Sequence, residues 1–290
     1  PLFGRIPTSR RDWNRLMEEL GIRPNKGLGQ HFLFERGIVE RMVRQAGIGS
    51  EDSVLEVGPG LGILTSGLLR KAGHVVAVEY DRGLAAHLET AFGDLPNFEL
   101  IQGNALHQTA DDLFAPGIEF DVVANLPYST GTAILRHLLE AGNKPKRMVL
   151  TIQKEVARRV LAKDGKHSLL SLSVQVYGKP SLHSVIPAGS FFPKPDVDSA
   201  VLIIDLYEKP LIPFNALERF FILAHAGFSQ KRKTLRNSLS AGLRIPVSKV
   251  EVLLAQTHID PSRRAETLTL AEWQGLIDAF NSEASATNQP

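Results

Sequence analysis

The chain has no cysteine in its 290 residues. That excludes disulfides, thiolate metal sites and cysteine nucleophiles, and no metal site is expected. It also lacks any apolar run near the roughly 20 residues needed to cross a bilayer, so no membrane partner is expected. No secretory leader pattern is visible. Arg5, Arg10, Arg11 and Arg15 give the first residues the look of an organellar presequence, but Asp12, Glu18 and Glu19 oppose it. A cytoplasmic protein is the expectation. A large excess of one charge is missing too: 33 Lys and Arg face 31 Asp and Glu, for a net charge of +2. With an isoelectric point of about 8.9, a nucleic-acid partner would have to be met by local patches rather than by the total. What is present is an ordinary globular composition, 43% hydrophobic and 22% charged. The length suits one large domain, or a medium one with a small one behind it.

Residues 1–52 read as a basic arm followed by a helix. The arm ends in Lys26-Gly-Leu-Gly-Gln-His-Phe-Leu33, and Ile38, Val39, Met42 and Val43 then recur at helical spacing until Gly47 and Gly49 stop the helix. Residues 53–210 alternate apolar strands with helices. Strands are expected at 53–57, 74–79, 98–101, 120–124 and 148–152, with helices at 64–69 and 84–92. Continuous apolar strands between helices indicate a parallel sheet covered on both faces. Segments 182–186 and 199–206 read as a closing antiparallel pair. After Pro210 and Pro213, in residues 211–290, only helices are expected, at 214–226, 231–239, 248–256 and 270–280, with 282–290 as a disordered tail. The fold class is therefore α/β, a Rossmann-like and mostly parallel sheet with an antiparallel last strand and a small all-helical domain behind it.

Val54-Leu-Glu-Val-Gly-Pro-Gly-Leu-Gly62 is a strand entering a glycine turn and then a helix. Gly58, Gly60 and Gly62 would let the backbone approach a ligand closely. The spacing is G-x-G-x-G, one residue shorter than the dinucleotide fingerprint. Alone it is weak evidence, since a tight strand-to-helix turn would carry the same glycines. Glu79 ends the next strand about 20 residues on, where a carboxylate can accept both hydroxyls of a ribose. These features allow a nucleotide or S-adenosyl-L-methionine.

The next motif decides. Asn125-Leu-Pro-Tyr128 follows the strand at 120–124, at the carboxyl end, where open α/β sheets bind ligands. It is one form of the Asn/Asp-x-Pro-aromatic motif of enzymes that methylate ring-conjugated amines. Such an amine is a poor nucleophile because its lone pair is delocalised. The Asn125 side-chain oxygen and the Leu126 carbonyl could accept its hydrogens and return electron density to nitrogen. Pro127 would fix the Leu126 carbonyl, and Tyr128 offers a stacking face worth about 1–3 kcal/mol per base. Asn, Pro and Tyr are also common turn residues, so position in the fold carries this reading.

Gly27-Leu-Gly-Gln-His-Phe-Leu33, Glu56-Val-Gly-Pro-Gly-Leu-Gly62, Glu79, Gly103-Asn-Ala-Leu106, Asn125-Leu-Pro-Tyr128 and Phe191-Phe-Pro-Lys-Pro-Asp-Val-Asp-Ser199 occur in order. From about Pro24 to Trp273 the chain resembles the KsgA family of small-subunit rRNA adenine N6,N6-dimethyltransferases. The resemblance implies transfer from S-adenosyl-L-methionine to the amines of adjacent adenosines near the 3′ end of small-subunit rRNA, during ribosome biogenesis, by a monomer. It further implies that His31 and Leu33 line the cofactor pocket and that Asn104, with Ala105, meets the cofactor adenine. The family usually has Asn at position 31 and Asp at position 104. Phe191 would sandwich the target base opposite Tyr128.

Ser229-Gln-Lys-Arg-Lys-Thr-Leu-Arg236 is a basic run placed at the opening of a helix. Lys231, Arg232, Lys233 and Arg236 could meet phosphates, although a solvated helix face is the usual fate of such a run. Here it resembles the family's own basic signature. Lys154 and Arg158, with Arg159, are further candidates for RNA contact. Three other readings share part of the pattern. They are the sister group that methylates a large-subunit adenine, a DNA adenine methyltransferase, and a non-catalytic binding module descended from the family.

Overall fold

The computed structural model describes residues 9–24, 27, 29–163 and 165–287. The expectations placed on Arg5, Lys26, Leu28 and residues 288–290 lie outside the described residues. One compact unit takes in the chain up to Ala157 together with Pro180–Leu206, and the other takes in Arg158–Lys179 together with the chain from Tyr207 on.

The first unit is built on a seven-stranded sheet. Its strands are β2 (Ser53–Val57), β3 (His74–Glu79), β4 (Phe98–Gln102), β5 (Phe120–Asn125), β6 (Arg147–Gln153), β7 (Gly178–Ile186) and β9 (Ser199–Leu206). The order is β4-β3-β2-β5-β6-β9-β7. Pairs β2–β3, β3–β4, β2–β5 and β5–β6 are parallel, and β9 is antiparallel to β6. This is the expected mostly parallel sheet. Its central strands are buried nearly end to end, whereas β4 at the edge is only partly covered. That gradient is why the central strands read as continuous apolar runs.

Helix α2 (Arg36–Ala46) buries Ile38, Val39, Met42 and Val43 and ends at Gly47 in the left-handed region, as its spacing implied. Before it lies α1 (Arg10–Glu19), capped by Ser9 and anchored by Trp13 and Met17 in the core, where only a basic arm was expected. Helices α3 (Ile63–Leu68), α4 (Arg82–Phe92), α5 (Ala110–Leu113) and α6 (Gly131–Glu140) connect the strands. A two-stranded antiparallel pair joins β1 (Phe32–Leu33) to β8 (Phe191–Phe192).

The chain passes between the units within α7 (Lys154–Val160). The second unit contains α8 (Leu169–Gln175), α9 (Phe214–Phe228), α10 (Leu235–Leu243), α11 (Val247–Gln256) and α12 (Leu270–Thr287). Phe220, Leu223, Leu239, Leu254, Trp273 and Ile277 are buried in it. The boundary differs from the 53–210 and 211–290 division. Residues 158–179 join the helical unit because Tyr207 and Leu211 donate backbone hydrogen bonds to Tyr177 and Val176, and His167 to Glu266. Two further expectations are corrected. Helix α10 begins at Leu235, so Lys231, Arg232 and Lys233 sit in the turn before it. The tail expected to be disordered from Ser282 continues α12 to Thr287.

Candidate active site

The chain order of the sheet reverses between β2 and β5, and open α/β sheets form their ligand crevice at such a point. A cavity of about 290 Å³ opens there, at the low end of small-molecule sites. The structure brings together His31, Gly58, Gly60, Glu79, Asn104, Ala105, Asn125, Leu126 and Pro127 around it, from separate stretches of sequence.

The glycine turn takes the conformation its residues suggested, with φ of 68°, 61° and 84° at Gly58, Gly60 and Gly62. A side chain at Gly60 would meet the Phe32 ring at 3.0 Å. Glu79 closes this turn from below: its carboxylate accepts the Gly60 N–H at 3.1 Å and the Asp81 N–H at 2.9 Å. An ionised carboxylate has about four lone-pair directions, and with the Tyr80 N–H also bearing on it at least one remains for a ligand. Burial pushes the Glu79 carboxyl above its ordinary value, against those hydrogen bonds. On β2, just before the turn, Glu56 is buried, and among the described residues its Oε2 has no hydrogen-bond partner. Burial pushes it up to about 8, with Thr65 opposing and the Glu79 charge adding.

The amino-terminal segment wraps against the Asn-Leu-Pro-Tyr loop. Gly29 has φ +65°, and a Cβ there would lie 2.6 Å from the Ser129 nitrogen. Its carbonyl accepts the Tyr128 N–H at 3.3 Å. Asn125 Nδ2 donates to the His31 carbonyl at 3.0 Å. A carbonyl only accepts, so it draws the amide NH2 to itself and fixes which way the group faces. Among the described residues, buried Asn125 Oδ1 has no partner, although buried polar atoms are nearly always paired. A buried acceptor of this kind, at the edge of an open cavity, is suited to a donor brought in by a ligand. The His31 ring lies 4.7 Å from the Tyr128 ring, and its Nδ1 is 2.7 Å from the Pro193 carbonyl. The Tyr128 hydroxyl is hydrogen-bonded to Ser199. Burial raises the pKa of Tyr128, with the Ser199 bond opposing.

Several expected residues stand elsewhere. Leu33 and Phe191 are partners across the β1–β8 pair and are both buried in the core, 4% and 0% exposed. Side chains alternate along a strand, so Phe32 reaches the cavity and Leu33 does not. Phe191 presents no free face to a base. Gly62 is a packing glycine, since a Cβ there would lie 2.6 Å from the Phe92 ring. Tyr128 stands beside the cavity, half-buried, rather than in its lining. Asn104 lines the cavity, but its Oδ1 already caps the Leu106 N–H at 3.0 Å. Residues the sequence reading missed include Phe32, Val57, Tyr80, Leu106 and Ile134, all in the lining. Tyr80 is 59% exposed. Its signal was available: it follows Glu79 directly, and a large exposed aromatic beside a buried strand-end carboxylate is informative.

Of the expected RNA-facing residues, Lys231, Arg232 and Lys233 are exposed. Arg236 is paired with Glu251 at 2.9 Å, and Lys154 lies 3.5 Å from Asp198. Arg158 is exposed on α7. Among the described residues no group of three or more His, Asp or Glu converges as a metal site, and no helix is long and apolar enough to cross a membrane.

The family model for ribosomal RNA adenine dimethylases matches residues 21–282. The chain is 43% identical over 275 residues to ribosomal RNA small subunit methyltransferase A of Dehalococcoides mccartyi, covering 95% of this chain and 94% of that one. It is 40% identical to the protein of the same name from Moorella thermoacetica, covering 90% and 94%. Among solved structures it is similar to a dimethyladenosine transferase from Plasmodium falciparum, with a TM-score of 0.76 at 26% identity, covering 88% of this chain and 98% of that one. It is also similar to the 23S rRNA methyltransferase ErmE, with a TM-score of 0.67 at 27% identity, covering 86% and 99%.

Proposed function

The chain belongs to the ribosomal RNA adenine dimethylase family, and from that membership we propose that it dimethylates the exocyclic amines of adjacent adenosines near the 3′ end of small-subunit rRNA, with S-adenosyl-L-methionine as donor. The substrate is the rRNA of an assembling subunit, and the cytoplasm is the place of action. The unpaired, buried Asn125 Oδ1 carries this reading of the site.

The residues present suit the donor. Glu79 keeps acceptor capacity for a ribose hydroxyl, and the glycine turn leaves room for the methionyl part. Tyr80 and Leu106 supply apolar walls for the adenine, and Asn104 retains one lone pair for its amine. When bound, S-adenosyl-L-methionine supplies a methyl group on a positively charged sulfur, already activated for transfer.

The protein's work is then to present the amine. The target adenine leaves its stack to enter the site, as bases do when their ring atoms are modified. Tyr128 stacks on it. Asn125 Oδ1 accepts one amine hydrogen, and the Leu126 carbonyl, held by Pro127, accepts the other. Both bonds favour the geometry in which the nitrogen lone pair is localised, so they strengthen as the reaction proceeds. After one transfer and loss of one amine proton to solvent a single hydrogen remains, which one acceptor can still hold. No covalent intermediate with the protein is needed.

Asn125→Ala tests the assignment. Removing one pre-oriented group from a reacting centre costs about 10²–10³ in rate. In single-turnover assays on unmethylated small subunits, the variant is expected to lose that much while binding the subunit as before. A variant that methylates at the original rate would remove Asn125 from the mechanism.

A further inference from the structure

Tyrosine and phenylalanine offer a purine the same kind of stacking face. The hydroxyl of Tyr128 therefore has a task other than stacking. It is hydrogen-bonded to Ser199 Oγ. Ser199 has no exposed surface. It opens β9 and is registered against Gln153 of β6, and β6 is registered against β5 as far as Thr151 opposite Asn125. The Tyr128 hydroxyl is thus tied, through two strand ladders, to the strand that presents Asn125. The residue is held at two other points: its N–H by the Gly29 carbonyl at 3.3 Å, and its ring by His31, whose centroid is 4.7 Å away at a 40° tilt. The adjacent Asp198 makes other bonds, accepting the Ala188 N–H at 3.1 Å and lying 3.5 Å from Lys154 Nζ.

We propose that Ser199 is a positioning residue for the reaction: its hydroxyl locks the Tyr128 ring where a stacked adenine keeps its amine within reach of Asn125 Oδ1 through both methyl transfers. This rests on the reading of Tyr128 as the base platform. The second transfer depends on the lock more than the first. An unmethylated amine can offer either of two hydrogens to the acceptor. The monomethylated amine has one, and must present it with the methyl turned away. A ring free to swing gives the base more poses in which neither condition holds, and the monomethylated base then leaves before it reacts again.

Ser199→Ala and Tyr128→Phe each remove the same bond, from opposite sides. Both are expected to slow the second transfer by about tenfold, since small misplacements at a reacting centre have effects of that size or larger. The product on small subunits should shift from dimethyl- to monomethyladenosine, with subunit affinity nearly unchanged. The double variant should be no worse than either single one, because both substitutions break the same bond. Ser199→Thr keeps a hydroxyl on a strand residue and should restore the dimethyl product. An RNA carrying fluorescent 2-aminopurine at the target position gives a second readout, without donor. Its quenching by stacking should weaken in both single variants. If Ser199→Ala does not fold, Tyr128→Phe and Ser199→Thr decide the matter. A monomethyl-to-dimethyl ratio equal to that of the unsubstituted chain, or additive losses in the double variant, would overturn the proposal. If the unsubstituted chain methylates no adenine at all, the platform reading fails instead.

Discussion

At the scale of single residues, two buried carboxylates sit together at the glycine turn and do different things. Glu79 is held by the Gly60 and Asp81 N–H groups, which offset part of its desolvation and favour the charged form. Glu56 has an unpaired oxygen and rises to about 8. The pH dependence follows from the sign of that shift. In the unfolded chain Glu56 ionises near its ordinary value of 4.5, whereas in the folded chain it holds its proton to about 8. Between these values the unfolded state has released a proton that the folded state keeps, so stability falls as pH rises through the interval. Below the interval the contribution is full and constant. Glu56→Gln removes the ionisation and leaves the shape. Melting curves collected from pH 5 to 9 should show the variant gaining on the original chain as pH rises. Parallel curves would mean that Glu56 ionises normally in the fold. The sequence could not have indicated this, since Glu56 and Glu79 both stand on apolar strands. Their difference comes from which backbone N–H groups the turn aims at each.

At the scale of elements, legibility tracked how local the cause was. β2, β3 and β9 run over the residues expected from their apolar runs, because burial of a central strand is written in the strand itself. The β1–β8 pair has two residues on each side, about 160 positions apart, and neither side carries a pattern long enough to read. That omission misplaced Leu33 and Phe191, which a strand reading would have turned into the core together. For the basic run the difference lies at a helix start. Thr234 occupies the N-cap position of α10 without a side-chain cap bond, and Lys231, Arg232 and Lys233 form an exposed turn ahead of the helix. Arg236, in its first turn, is engaged with Glu251. Replacing Lys231, Arg232 and Lys233 with alanine should weaken RNA binding and lower its salt slope by about 2–3, close to one for each phosphate no longer neutralised. Arg236→Ala should change the slope less, because its charge is already partly met. Filter binding across a salt series would check both. An unchanged slope in the triple variant would leave the turn as solvated surface.

At the scale of the whole molecule, the fold class and the ordered motifs were readable along nearly the full chain, and the match to the family model over residues 21–282 agrees with that extent. The division into units was less readable. Residues 158–179 belong with the helices after Tyr207 through backbone bonds between segments far apart in the chain. The cavity shows the same pattern. Its glycines, Glu79 and Asn125 could be named from motifs, but the hydrogen bond from Asn125 to the His31 carbonyl spans 94 positions and needed the fold to be seen. The central claim concerns the product. The chain should be incubated with labelled S-adenosyl-L-methionine and unmethylated small subunits, and the modified nucleotides identified by digestion and mass spectrometry. The expected result is N6,N6-dimethyladenosine at adjacent positions near the 3′ end of the small-subunit RNA. Label confined to large-subunit RNA or to DNA in parallel reactions, label on a base other than adenine, or no transfer at all would contradict it.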